Sequence, residues 1–120
     1  RFNDRWTIPA LKAHLKGEIL AMADGRAAVN FEPGSDWFVT EPGRLLDTLA
    51  DAIRAMTGVT PTPSTGGGTS DARFFKEICP VVEFGLVGDT MHQVDERVAL
   101  SELDALAAIY GAFLDRFFKG

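Results

Sequence analysis

Helices that alternate with extended segments predict an α/β fold built in layers. Apolar residues recur at helical spacing in three stretches, residues 8–22, 45–56 and 103–117. Apolar and polar residues alternate over residues 26–32, which is the period of a half-buried strand. Residues 80–87 are almost continuously apolar, as expected of a central strand that is covered on both faces.

The first part of the chain predicts one helix followed by one strand. Thr7 can cap the helix, and Pro9 suits its first turn. The apolar stripe of this helix consists of Ile8, Leu11, Leu15, Ile19 and Met22. Asp24 and Gly25 favour a turn, after which the alternating segment 26–32 predicts a strand.

Residues 37–39 are apolar and predict a further short strand, and residues 40–43 are the best candidate for a boundary between subdomains. A second helix follows, and Gly58 is placed to take the left-handed conformation just past its end. Its apolar stripe consists of Leu45, Leu46, Leu49, Ile53 and Met56. Pro61 and Pro63 then keep the backbone extended.

The last helix has the longest apolar stripe in the chain. Ser101 and Asp104 have the spacing of a capping box at its start. The stripe consists of Leu103, Leu106, Ala107, Tyr110, Phe113, Leu114 and Phe117. This spacing predicts an amphipathic helix.

Composition excludes several classes of function. The chain has 120 residues, 17 acidic against 12 basic, for a formal charge of −5. No basic stripe is present to neutralise phosphates, so we expect no nucleic-acid partner. No apolar run approaches the roughly 18 residues that span a bilayer, so we expect no membrane partner.

Cys79 is the single cysteine, so an internal disulfide is impossible, which is typical of a reducing compartment such as the cytoplasm. It precedes an apolar run, and we expect it to be a small buried hydrophobic residue and not a nucleophile. The chain begins at Arg1 without a methionine, and its opening residues resemble the end of a strand. We therefore expect it to be cut from something longer.

Residues 66–68 are three consecutive glycines, followed by Thr69, Ser70 and Asp71. Such a run lets the backbone approach a ligand and point several N–H groups at an anion. No lysine follows the glycines, as a nucleotide phosphate loop would require, and Asp71 occupies the third glycine position of a dinucleotide fingerprint. A carboxylate is the favoured anion. The alternative is a flexible loop of turn residues.

His92 lies among the carboxylates of Asp89, Asp95 and Glu96, just after the predicted central strand. Ligands often gather at the carboxyl ends of such strands, and neutral imidazole is a common zinc ligand. The alternative is a solvated histidine in a polar loop. His14, on the predicted first helix, is a weaker candidate.

Arg1 and Arg73 are candidate carboxylate clamps, because a guanidinium can bind a carboxylate through two hydrogen bonds. The alternative for each is an ordinary surface residue.

Three segments together resemble the C-terminal signature of the succinyl-diaminopimelate desuccinylases, which are two-metal amidohydrolases of the aminoacylase and carboxypeptidase superfamily. These segments are residues 64–74 (STGGGTSDARF), 81–85 (VVEFG) and 90–96 (TMHQVDE). Residues 38–43 (FVTEPG) also resemble the segment that leaves the inserted dimerisation domain of that family. The resemblance therefore covers nearly the whole chain.

The resemblance implies roles for five residues. His92 would be the metal-binding histidine near the C-terminus of the family. Gly68, Thr69 and Arg73 would belong to the loop that holds the carboxylates of the substrate. Arg1 matches an arginine of the inserted domain that also reaches substrate.

The resemblance also implies a fold that is divided into two parts. Residues 1–40 would be the last helix and strands of an α+β dimerisation or lid subdomain. Residues 41–120 would be the C-terminal part of a mixed-sheet α/β metallohydrolase catalytic domain. A homodimer is expected.

The activity implied is hydrolysis of N-succinyl-L,L-diaminopimelate to succinate and diaminopimelate, with two divalent metals, zinc or else cobalt. The other metal ligands and the general base of the family have no counterpart here, so we assign no catalytic residue and expect the isolated chain to be inactive. Gly88 stands where the family often has asparagine, which leaves the acyl substrate open. The alternatives are a sister deacylase such as acetylornithine deacetylase, or a non-catalytic carboxylate-binding or dimerisation module.

Overall fold

The computed structural model contains four α-helices and describes residues 2, 4–34, 36–66 and 70–119. The helices are α1 (Ile8–Met22), α2 (Arg44–Thr57), α3 (Ala72–Phe75) and α4 (Leu100–Lys119). No helix within these ranges is both long enough and apolar enough to cross a bilayer.

The predicted α/β fold with a mixed sheet is wrong for the part of the chain that the structure describes, because no residue there belongs to a β-strand. Residues 26–32, 37–39 and 80–87 all lie outside regular structure. Outside the helices, the backbone–backbone hydrogen bonds in this part of the chain are local turns and caps. A strand requires a neighbouring segment to receive its N–H and C=O groups. The alternating and apolar patterns predicted strands, but such patterns do not show whether another segment is available to pair with each one.

Helix α1 begins as predicted. The Thr7 hydroxyl accepts a hydrogen bond from the backbone N–H of Ala10 at 3.3 Å, and proline occupies the first turn. The helix ends at Met22 and buries none of its residues. Its apolar stripe is therefore only partly covered.

Helix α2 ends as predicted at Gly58, whose φ of 74° is left-handed. The N–H of Gly58 donates to the carbonyl of Arg54 at 2.9 Å and so satisfies one of the last carbonyls of the helix. Helix α4 begins one residue earlier than its predicted cap. Ser101 lies inside the helix, and Ala99 accepts the first backbone hydrogen bonds, so the predicted capping box is wrong.

The chain divides into two compact units. Unit 1 comprises Arg1–Val39 and Ser64–Lys76, and unit 2 comprises Thr40–Pro63 and Glu77–Gly120.

In unit 1, the aromatic side chain of Trp37 organises several contacts. Its indole N–H donates to the backbone carbonyl of Trp6 at 2.7 Å, and its own carbonyl accepts from Lys76 Nζ at 3.1 Å. The ring of Trp6 stacks on His14 with centroids 5.1 Å apart. His14 on α1 thus stacks on an aromatic ring that precedes the helix.

The core of unit 2 lies where α2 packs against α4. Leu49 and Ile53 of α2 are 5% and 6% exposed, and Ile109 of α4 is 4% exposed. Val82 and Phe84 pack against this cluster from the segment 80–87. One face of that segment is therefore covered although it forms no strand.

Side chains, and not a sheet, hold the segment 80–87 in place. The hydroxyl of Tyr110 on α4 donates to the carbonyl of Phe84, and the hydroxyl of Thr40 donates to the carbonyl of Val81. The Phe84 and Tyr110 rings meet edge to face with centroids 6.4 Å apart. These contacts bring the end of the segment to a fixed position on the α2–α4 pair.

The first prediction concerns this core. Ile109→Ala should lower the free energy of unfolding of the chain by about 2–5 kcal/mol, because it empties a buried site between α2 and α4. Leu114→Ala on the same helix, where the side chain is 50% exposed, should cost less than half as much. Urea denaturation of both variants measures the difference. Equal losses would mean that α4 packs through another face.

The second prediction uses two glycines that differ in backbone conformation. Gly58→Ala should destabilise the chain by about 1 kcal/mol, because a Cβ is unfavourable at a φ of 74°. Gly111→Ala in α4 should stabilise it by about 0.5–1 kcal/mol, because a Cβ there meets nothing within 4 Å and alanine favours helix. Thermal unfolding of the two variants should give shifts of opposite sign. Shifts of the same sign would contradict the assigned end of α2.

Candidate functional site

The predicted site residues fall in two places. Arg1, Gly68 and Thr69 lie outside the residues that the structure describes. Arg73 lies on α3 in unit 1, and His92 lies in a loop of unit 2, so each is described within its own unit.

His92 lies in the loop 88–97, which leads from the segment 80–87 to α4. Both His92 and Asp95 have a φ of 63°, in the left-handed region. Only a few per cent of residues other than glycine take this conformation, although histidine and aspartate are enriched among them. The loop therefore has a specific backbone path.

Local hydrogen bonds define that path. The N–H of Met91 donates to the carbonyl of Gly88, and the N–H of Gln93 donates to the carbonyl of Thr90, both at 3.0 Å. The Gln93 side-chain amide also donates to the carbonyl of Asp89 at 3.0 Å. These bonds make consecutive turns around His92.

Thr90 closes the loop at its base. Its hydroxyl donates to the carbonyl of Arg97 at 2.8 Å and accepts from the N–H of the same residue at 3.0 Å. The guanidinium of Arg97 donates back to the carbonyl of Asp95 at 3.3 Å. The sequence indicated the histidine, but it did not indicate the role of Thr90, which depends on a partner seven residues later.

The imidazole of His92 is exposed and makes no hydrogen bond or ion pair with another residue in the described ranges. No described residue therefore occupies either ring nitrogen, and neutral imidazole is a common metal ligand. No group of three or more His, Cys, Asp and Glu side chains in the described part of the chain could hold a metal ion. The residues present thus fit one metal ligand and not a complete metal site.

Next to this loop, unit 2 has an open cleft of about 370 Å³. Thr90 and Arg97, the two residues that close the loop, both line it. The acidic side chains of Asp89 and Glu102 line it as well, so the cleft presents both charges. The base of the loop is thus one wall of a solvent-filled space.

Arg73 is a half-buried cation on α3. Its Nε is buried and has no hydrogen-bond partner among the described residues, and its guanidinium lies 4.7 Å from the centroid of the Phe74 ring. A buried N–H without a partner is unfavourable, and a carboxylate is the group best suited to accept from it. This orphaned donor fits the predicted role of Arg73.

The start of the glycine loop shows a more local arrangement than predicted. The N–H of Gly66 donates to the Ser64 hydroxyl at 3.0 Å and so does not point at an anion. The hydroxyl of Ser70 likewise accepts from the N–H of Ala72 at 3.0 Å. The substrate-binding role of Gly68 and Thr69 stays a prediction, because both residues lie outside the described ranges.

Cys79 is exposed, so the prediction of a small buried hydrophobic residue is wrong. Burial was expected because Cys79 precedes the apolar run. That run is covered only on the face of Val82 and Phe84, and it forms no sheet that would cover its beginning.

Comparisons with known proteins give a consistent result. The family model described as peptidase family M20/M25/M40 matches residues 7–116. The chain is 51% identical to the succinyl-diaminopimelate desuccinylase of Methylobacterium radiotolerans, over 100% of the chain and 31% of that protein. It is 52% identical to the protein of the same name from Acidiphilium cryptum, over 99% of the chain and 32% of that protein.

The desuccinylase of Methylorubrum populi is also 52% identical, over 99% of the chain and 32% of that protein. The chain thus spans about a third of the length of the curated relatives it matches. No solved structure matches the chain significantly.

Proposed function

The chain belongs to the peptidase family M20/M25/M40, and we propose that it is the C-terminal part of a metal-dependent amidohydrolase that converts N-succinyl-L,L-diaminopimelate to succinate and diaminopimelate. The observation that carries the proposal is 51–52% identity, over essentially the whole chain, to relatives named as desuccinylases. The exposed, unpartnered ring of His92 supports it independently of the names.

The complete enzyme is proposed to bind two divalent metals, zinc or else cobalt, and His92 is proposed as one ligand. A catalytic zinc takes about three protein ligands and keeps an open position. The described part of the chain supplies one, so the remaining ligands and the general base are assigned to the rest of the full-length protein. No catalytic step is assigned to the chain alone.

Substrate binding is proposed for Arg1, Gly68, Thr69 and Arg73. The substrate has carboxylates at both the succinyl and the amino-acid ends, and a guanidinium can bind such a group through two hydrogen bonds. The buried Nε of Arg73 supports this role, because it has no partner among the described residues. Gly88 stands where the resemblance suggests asparagine, so one substrate contact is absent or is made by another residue.

Residues 1–40 are proposed to belong to a dimerisation or lid subdomain, and residues 41–120 to the catalytic domain of a homodimeric enzyme. The chain passes from unit 1 to unit 2 after Val39, and this division supports the proposed boundary. Residues 64–76 join unit 1, which the proposed division does not account for. A cytoplasmic location is proposed from the single, exposed cysteine.

The third prediction tests the function with the full-length protein and its two histidines, His92 and His14. The wild type should hydrolyse N-succinyl-L,L-diaminopimelate in preference to N-acetylornithine. His92→Ala should lower kcat/KM by more than about 100-fold, because even residues that only support a metal ligand contribute about 10–100-fold. His14→Ala is the matched control and should stay near the wild type, since His14 stacks on Trp6.

Three results would contradict the proposal. Near-normal activity of His92→Ala would remove the metal role of this residue. A higher kcat/KM on N-acetylornithine than on the succinylated substrate would favour the sister deacylase. A wild type that hydrolyses neither compound would favour the non-catalytic carboxylate-binding or dimerisation module.

A further inference from the structure

We propose that Thr90 is a positioning residue for His92, because its hydroxyl fixes the loop that presents the imidazole. The inference rests on the proposed metal role of His92. It concerns a residue that would not contact the metal or the substrate, and it follows from the hydrogen bonds and backbone angles of the loop 88–97.

The backbone of this loop needs support. His92 and Asp95 both have a left-handed φ of 63°, which is unfavourable for residues with a Cβ. Such conformations persist where the surrounding structure determines them. His92 is the third residue of the turn closed by the Gln93 N–H and the Thr90 carbonyl, at 3.0 Å, and a left-handed third residue is a feature of type II turns.

The Thr90 hydroxyl provides that support at the base of the loop. It makes one donated and one accepted hydrogen bond to the backbone of Arg97, at 2.8 and 3.0 Å. Thr90 is half-buried, whereas every other residue of the loop is exposed. Its two hydrogen bonds to Arg97 join the two ends of the loop.

A fixed loop favours metal binding because the entropy of ordering the ligand is lost during folding and not during binding. Without the Thr90 hydroxyl, the turn at His92 would have to be ordered when the metal binds. The expected consequence is weaker metal affinity in a protein that is otherwise folded.

The test uses the full-length protein and four variants, the fourth being His92→Ala. Thr90→Val keeps the shape of the side chain and removes both hydrogen bonds, while Thr90→Ser keeps the hydroxyl. Thr57→Val is the matched control, because the Thr57 hydroxyl also donates one bond, to Ile53 at 2.8 Å, and accepts one, from Val59 at 3.1 Å. Those bonds lie at the end of α2, outside the loop 88–97.

Zinc affinity is measured by competition with a chromophoric chelator, and hydrogen exchange of the Arg97 amide reports closure of the loop. Thr90→Val should bind zinc about 10–100-fold more weakly and exchange the Arg97 amide faster. Thr90→Ser should restore both values. Thr57→Val should lower stability and leave zinc affinity unchanged.

Wild-type zinc affinity in Thr90→Val, or an equal loss in Thr57→Val, would overturn the proposal. If Thr90→Val does not fold, hydrogen exchange of the zinc-free wild type is measured in its place. A protected Arg97 amide supports the proposal, and an unprotected one overturns it.

His92→Ala distinguishes the positioning role of Thr90 from the metal role of His92. If that variant loses zinc affinity while Thr90→Val keeps it, only the positioning role fails, whereas unchanged affinity in His92→Ala overturns the metal role and this proposal with it.

Discussion

The packing of α2 against α4 is the interaction on which the rest of unit 2 depends. Leu49, Ile53 and Ile109 are its buried centre, and each such side chain contributes about 1.5–3 kcal/mol when it leaves water. The segment 80–87 is attached to this pair through Phe84, whose ring packs on the core and whose carbonyl accepts from Tyr110. The loop with His92 follows directly, so the position of the candidate ligand within unit 2 is set by a small apolar core.

Helices α1, α2 and α4 could be predicted because the information that forms them is local, whereas the four-residue α3 was not predicted. Thr7 bonds a residue three positions away, and Gly58 needs only its own freedom to take a positive φ. Strands are different, because their stability comes from a second segment at an unspecified distance in the chain. Residues 80–87 have the composition of a central strand, yet the carbonyls of Val81 and Phe84 accept hydrogen bonds from the side chains of Thr40 and Tyr110. The expected burial of Cys79 failed for the same reason.

The candidate site residues could be named from the sequence, but the hydrogen bonds and backbone angles around them could not. His92 was a candidate because of its residue type and its acidic neighbours, and Arg73 because a guanidinium can bind a carboxylate. The left-handed backbone at His92 and the pairing of Thr90 with Arg97 depend on the folded path of the loop. The orphaned Nε of Arg73 likewise became visible only in the packed structure. Residue types thus indicated which side chains could bind a metal or a carboxylate. The structure indicated which hydrogen bonds fix the backbone around them.

If the proposed function is right, the chain contributes a single metal ligand, His92, to a site completed by the rest of the full-length protein. A crystal structure of the zinc-loaded full-length enzyme would show this. We expect a ring nitrogen of His92 at about 2.0–2.1 Å from a zinc ion whose other protein ligands lie outside residues 1–120. Zinc bound without His92, or bound by several side chains of this chain, would contradict it.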